Sequence, residues 1–195
     1  TVDAGQARST WSVEVSSLIY KAVPPAGRAV ASVFLSSIAV AYTGVGASSY
    51  FVEASSTNFG TQTPGGTVYS SVSFSTGSAS LAPAGLSPNT TYFLRVGGLW
   101  RRTTTYALSV PASTSTLAAV PVLGTATFHS VSVTSAVVQW EANGNPAYTQ
   151  YEAQAATSPG FTGQVLSSGW VAFLSTTVAG LTGVHRSPGC AYGMD

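Results

Sequence analysis

The chain has 195 residues, enough for one large domain or two of about 100 residues each. Only 7% of its residues are charged and the net charge is +1, with seven scattered cations of which Arg101-Arg102 is the one adjacent pair. That excludes the basic stripe of a nucleic-acid binder, and such near-neutrality leaves little repulsion between copies of the chain.

Taken in order, the first segment with a clear pattern is Thr10-Trp11-Ser12-Val13-Glu14-Val15-Ser16, which alternates as a half-buried strand does. Ala22-Val23-Pro24 follows as a connector. Ala29–Ala47 runs for nineteen residues without a charge, long enough to span a bilayer as a helix. It is broken by Ser, Thr and Gly, however, and alternates at Ile38–Tyr42, so it reads as strands and no membrane span is expected. No signal peptide is visible at Thr1.

The two halves of the sequence repeat one another. Ser32–Tyr42 lines up without a gap on Ser130–Trp140 at an offset of 98 residues. Tyr50–Ser56 then matches Tyr151–Thr157, Phe59 falls opposite Phe161, and Ala84-Gly85-Leu86 matches Ala179-Gly180-Leu181. A period near 100 residues marks a repeated whole domain, not a solenoid turn.

In the first copy the stretch Ala84–Val96 is the most legible. Pro88 fixes φ and Asn89 tolerates left-handed geometry, so the chain turns there before the alternating Tyr92–Val96. A tyrosine just after such a turn is the placement of a tyrosine corner. GLSPNTTYFLRV resembles the E–F corner and F strand of fibronectin type III modules. NGNPAYTQYEAQAATSPGF resembles the B–C turn and C strand of such modules in bacterial surface and secreted repeat proteins.

The resemblance implies an all-β fold of tandem immunoglobulin-like sandwiches, the second incomplete. It places strands A, B, C, C′, E, F and G of the first module at Val30–Leu35, Ile38–Tyr42, Ser49–Ser55, Thr67–Phe74, Ser78–Pro83, Tyr92–Val96 and Thr105–Val110. In the second it places A, B, C, C′ and E at Thr127–Val133, Ala136–Trp140, Gln150–Ala156, Gln164–Val171 and Ser175–Ala179. Tyr42 and Trp140 take the position of the large B-strand core aromatic; Leu86, Tyr92 and Leu181 are the remaining core and corner residues.

The ends carry the same order as the inner repeat. Residues 1–23 read as a G-like strand and connector, residues 24–119 as a complete module, and residues 120–195 as a second module without a G strand. Thr182–Cys190 keeps the length of the corner but lacks its PNTTY turn, and Pro188-Gly189 suits a strand poorly.

Catalytic and metal signatures are missing. His129 and His185 have no ligand-like spacing to the lone Cys190, which also allows no intramolecular disulfide. Glu141 and Glu152 flank the B–C loop, but a paired-carboxylate site needs a cleft that a small sandwich seldom offers. No Gly-x-Ser-x-Gly elbow and no phosphate loop occurs. Asn89-Thr90-Thr91 is a formal glycosylation sequon that the turn already explains, so glycan decoration stays open.

The expectation is therefore a non-enzyme without cofactor or metal, extracellular or at a cell surface, whose partner is itself. Strand Thr10–Ser16 of one copy, through Trp11, Val13 and Val15, would complete the second module of its neighbour and build a head-to-tail filament or surface array. The alternative is a non-catalytic adhesion, carbohydrate-binding or spacer fragment of a larger secreted multi-module protein.

Overall fold

The computed structural model describes residues 22–59, 67–74, 77, 79–107 and 112–182. These form thirteen β-strands, every pairing antiparallel, with no helix among them. The first eight are β1 Ala26–Val33, β2 Ile38–Thr43, β3 Ser49–Ser55, β4 Val68–Ser73, β5 Ala79–Leu81, β6 Thr91–Trp100, β7 Thr103–Tyr106 and β8 Ala112–Ser115. One sheet has the order β1-β2-β5 and the other β4-β3-β6-β7, with β8 also on β6. Two sheets closing on one apolar interior in this order make an immunoglobulin-like sandwich of the fibronectin type III kind.

The interior follows from period-two alternation. Ile38, Val40 and Tyr42 of β2 are buried while Ala39 and Ala41 between them are half-exposed. Tyr50, Val52 and Ala54 of β3 face Tyr92, Leu94 and Val96 of β6 in the same cluster, and each such aliphatic side chain contributes about 1.5–3 kcal/mol by leaving water. The tyrosine corner is formed: the Tyr92 hydroxyl accepts the Ser87 amide at 2.9 Å. Asn89, at φ 44°, makes the turn in between. Ala29–Ala47 is used as β1, β2 and the start of the next loop, and no helix of the described residues is long and apolar enough to cross a membrane.

Some strand bounds differ from the sequence reading. The first strand spans Ala26–Val33, not Val30–Leu35, because the Phe34 amide turns to the Ser37 carbonyl at 2.9 Å and leaves Phe34 and Leu35 in the turn. Its counterpart shifts likewise to Val122–Val131 by the equivalent Ser132–Ser135 bond of 2.8 Å. β6 runs four residues past Val96 because Gly97 and Gly98 continue the ladder to Trp100. A Cβ on Gly97 would sit 2.8 Å from the Tyr106 ring, so only glycine allows that close approach. Of the predicted G strand Thr105–Val110, Thr105 and Tyr106 lie in β7, while Leu108, Ser109 and Val110 lie outside the described residues; β8 follows at Ala112–Ser115.

The second half contributes β9 Val122–Val131, β10 Ser135–Glu141, β11 Tyr151–Ala156, β12 Val165–Val171 and β13 Ser175–Ala179. They form a sheet of order β13-β10-β9 and a pair β11-β12. The repeat extends to the hydrogen bonds. Leu86 donates to Ser36 at 3.0 Å as Leu181 donates to Thr134 at 2.9 Å, and Gly85 and Gly180 precede them at φ 81° and 80°.

The halves meet at the loop between β10 and β11. Asn145 bonds the connector in strand-like fashion, accepting from the Ala119 amide at 2.8 Å and donating to the Ala119 carbonyl at 2.7 Å. Asn143 Nδ2 donates to the Val120 carbonyl at 2.8 Å. Tyr148 Oη donates to the Asn89 carbonyl at 2.8 Å, and Asn89 Nδ2 donates to Thr149 Oγ1 at 2.8 Å. Four side chains thus fasten the corner of the first sandwich and the connector onto the second.

Candidate functional site: an open sandwich face

Strand β3 has neighbours on both edges, β4 and β6, whereas its repeat partner β11 pairs only with β12 among the described residues. The β11 edge that corresponds to the β6 side of β3 carries no described strand, and its backbone groups there form a template for another strand. Behind that edge, between the two sheets, lies a cleft of about 850 Å³ whose walls include Ala136, Trp140, Tyr151, Phe161, Val178 and Leu181.

The walls are mainly apolar but hold two polar atoms without partners. Trp140 Nε1 and Tyr151 Oη are shielded from solvent and make no hydrogen bond to any described residue. The rings lie 5.7 Å apart. The first sandwich supplies partners at the position of Tyr151. There Tyr42 and Tyr50 stack at 4.8 Å, and the Tyr50 hydroxyl accepts the amides of Val45 at 2.6 Å and Ala47 at 3.1 Å. In the second, three added residues, Pro146-Ala147-Tyr148, lengthen the loop and send it to Asn89, so those amides are not delivered to Tyr151. A buried donor or acceptor left unmade costs about 1–3 kcal/mol, so the cleft favours an occupant that brings a polar group.

Of the residues singled out from sequence, Tyr42, Leu86 and Tyr92 are buried in the first core. Trp140 and Leu181 are half-buried and line the cleft, so the two halves use matching positions differently. Trp11, Val13 and Val15 lie outside the described residues, as do Cys190 and His185. Ser78, Pro188 and Gly189 do too.

Two clusters escaped the sequence reading. One is the joint of Asn143, Asn145, Tyr148 and Thr149, whose signal was the change of repeat offset from 98 at Trp140 to 101 at Tyr151. The other is a stack on the outer face of the first sandwich. The Arg95 guanidinium lies 4.1 Å from the Phe59 ring centre and 4.0 Å from that of Tyr106. Arg95 Nε also donates to Glu53 Oε2 at 2.6 Å, and Tyr106 Oη donates to Glu53 Oε1 at 3.3 Å. Burial first, and the neighbouring Glu53 charge second, push the Tyr106 hydroxyl above its ordinary pKa of 10.0. In the second half Gln154 replaces Glu53, and it donates to Glu152 on its own strand at 3.1 Å.

No group of three or more His, Cys, Asp or Glu side chains that could hold a metal occurs among the described residues. Glu152 is bonded by Ser167 and Gln154, with no pairing to Glu141 among these contacts.

No protein-family model matches the chain, and no curated protein matches it. Among solved structures it is similar to the chicken CNTN1 FN1-FN3 domains, a fibronectin type III tandem, at 14% sequence identity and a TM-score of 0.37. The match covers 83% of this chain and 58% of that one, so the chain spans less than two thirds of that structure.

Proposed function

We propose that the chain is a non-catalytic structural piece of an extracellular or cell-surface array of the kind built by bacterial tandem-repeat proteins, and that its copies join head to tail by strand exchange. The observation that carries this reading is the β11 edge without a described neighbour, beside a cleft holding the orphaned Trp140 Nε1 and Tyr151 Oη. An added strand suits both needs at once. Its backbone satisfies the edge, its carbonyls reach the buried polar atoms, and its alternate side chains fill the apolar volume.

The strand is Thr10–Ser16 of a second copy, with Trp11, Val13 and Val15 directed inward. Thr10–Ser16 leads through Ala22-Val23-Pro24 into β1 as Thr105–Val110 leads through Ala119-Val120-Pro121 into β9; its counterparts β7 and β8 pair with β6, so beside β11 the donor would stand in for β6. A donor and acceptor on opposite ends of one chain make a heterologous contact, which propagates instead of closing.

Deletion of residues 1–20 tests it. Electron microscopy and solution mass are expected to show filaments for the full chain and single particles for the shortened one. Filaments that persist without residues 1–20, or a full chain that stays monomeric at every concentration, overturn the proposal.

A further inference from the structure

The outer faces of the two sandwiches carry the same device, complete in one and lacking its cation in the other. In the first, the Glu53 carboxylate of β3 is held at both oxygens, by Arg95 Nε at 2.6 Å and by Tyr106 Oη at 3.3 Å, while the guanidinium lies on the rings of Phe59 and Tyr106. In the second, Glu152 of β11 is also held at both oxygens, but by neutral donors, the Ser167 hydroxyl and Gln154 Nε2. Its cross-strand partner is Trp170 of β12. Tyr151 turns inward against Trp140, so Glu152, next along the strand, faces outward, and Trp170 directly opposite shares that face. Trp170 is 68% exposed and Glu152 half-buried. The matching pair in the first sandwich is Phe51 and Val72. An apolar pair in one repeat is thus a carboxylate beside a bare indole in the other.

The cations are distributed unevenly along the chain. Residues 120–182 contain Glu141 and Glu152 and not one Lys or Arg, a net charge of −2. Residues 22–119 contain Arg28, Arg95, Arg101 and Arg102 against the single carboxylate Glu53, a net charge of +3. Arg95 is engaged by Glu53, and Arg28 Nη1 donates to the Ala107 carbonyl at 3.1 Å. Arg101 and Arg102 form the exposed two-residue tip of the hairpin between β6 and β7. Arg101 has φ 56°, a left-handed conformation for which hairpin turns favour glycine or asparagine. Arg102 makes no hydrogen bond or ion pair with a described residue.

We infer that the outer face of β11 and β12 is an arginine-docking surface, and that its occupant is the Arg101-Arg102 hairpin tip of a second copy. Charge complementarity carries the choice. The acidic, cation-free sandwich of one copy complements the basic sandwich of another, and the tip is where the basic one presents two adjacent guanidinium groups. The docked guanidinium pairs with the Glu152 carboxylate and lies on the Trp170 indole, as Arg95 does with Glu53 and its two rings. This contact needs no exchanged strand and so goes beyond the head-to-tail reading. A chain that is near-neutral as a whole still has two poles that attract one another between copies.

The test is a charge swap in full-length chains that all carry Val13→Asp, which spoils the exchanged strand so that the contact is read without it. In sedimentation velocity the Val13→Asp chain is expected to self-associate at low ionic strength and to dissociate as salt is raised. Arg102→Glu alone and Glu152→Arg alone are each expected to weaken association about tenfold or more, and Trp170→Ala by about threefold to tenfold. Mixing the Arg102→Glu chain with the Glu152→Arg chain restores opposite charges at every contact of tip and face, and is expected to return the original affinity. A merely structural role for either residue does not give that rescue. Arg101→Glu is run in parallel because it shares the tip.

A Val13→Asp chain that stays monomeric at low salt, or a mixture no stronger than its two components, overturns the docking surface. Association lost in Glu152→Arg but unchanged in both Arg101→Glu and Arg102→Glu overturns the choice of occupant. The strand is judged separately. Filaments of the full chain that are unaffected by Val13→Asp remove the strand exchange, and rescue in the mixed chains still upholds the arginine contact.

Discussion

The two sandwiches share a repeat, a B-strand aromatic and a corner approach, yet they are packed to different degrees. The first buries Ile38, Val40, Tyr50, Val52, Leu94 and Val96 in one cluster. At the matching positions the second has Ala136 for Ile38 and Ala153 for Val52, and Trp140 and Tyr151 face a cleft. Alanine thus replaces a large residue once on each sheet, at Ala136 of β10 and Ala153 of β11. A core with narrow walls and a wide gap is suited to receive side chains from elsewhere, while one with wide walls is complete. The contrast therefore separates a unit whose described strands close on one core from one whose described strands leave a cleft.

The most forceful way to break this contrast is at Ile38 and Ala136. Ile38→Ala is expected to cost about 2–5 kcal/mol, read from the first sandwich's transition in urea, because it empties a fully buried site. Ala136→Ile adds the same atoms to a cleft wall and is expected to shift stability by less than about 1 kcal/mol. A loss of several kcal/mol from Ala136→Ile, in chains lacking residues 1–20, would show that the cleft is closed in solution.

Next in size are the paired hydroxyls. Tyr50→Phe leaves the Val45 and Ala47 amides without their acceptor, at about 2–4 kcal/mol for the two. Tyr151→Phe deletes a hydroxyl with no described partner and is expected to be neutral or to stabilise by up to about 1 kcal/mol in the same shortened background. In the full chain the same change weakens filament formation if an arriving carbonyl binds that hydroxyl. Equal losses in thermal unfolding for the two variants would erase the distinction.

Much of this was legible in the residues. The alternation at Ile38–Tyr42, Ser49–Ser55 and Ser175–Ala179 located β2, β3 and β13 to within a residue, because a half-buried strand must alternate. Pro88, Asn89 and Tyr92 located the corner through φ restraint and one hydroxyl. The strand β8 at Ala112–Ser115 was not legible, since a Ser/Thr-rich run satisfies strand propensity at every register. Nor was the Arg95 stack. It joins Glu53, Phe59 and Tyr106 to Arg95, and only the pairing of β3, β6 and β7 with the turn after β3 brings them together. The cleft was not legible, and its orphaned polar atoms depend on loop geometry that the repeat comparison registered only as three extra residues.

Alkaline titration sharpens the comparison through that stack. Tyr106 has its folded pKa raised above 10.0, so the folded state favours the protonated form. Its contribution to stability is present below pH 10 and is lost as pH rises through the folded value. Tyr42 is displaced in the same direction by burial, and both belong to the first sandwich. The first unit's unfolding midpoint is expected to fall above about pH 10, with the slope reduced by Tyr106→Phe. A slope unchanged in Tyr106→Phe would assign the whole effect to Tyr42 or to other groups.

The smallest effect expected is at the paired phenylalanines, where the two units differ in sign. Phe59 and Phe161 both adopt positive φ, 54° and 51°, a conformation that costs a non-glycine residue on the order of 1–2 kcal/mol. In the first sandwich the cost is offset, because the Phe59 ring lies under the Arg95 guanidinium, a contact of about 0.5–2 kcal/mol. Phe161 meets no such cation among the described residues and is 53% exposed at the mouth of the cleft. Glycine relieves the strain at either position and costs about 0.5–1 kcal/mol in chain entropy. Phe161→Gly is therefore expected to leave the chain lacking residues 1–20 unchanged or more stable by up to about 1 kcal/mol, and Phe59→Gly to destabilise it by about 1 kcal/mol. The full chain adds the deciding measurement. If Phe161 is kept at positive φ because its ring closes over an arriving strand, Phe161→Gly stabilises the single particle and raises the concentration at which filaments form. If the ring has no such role, that concentration does not move.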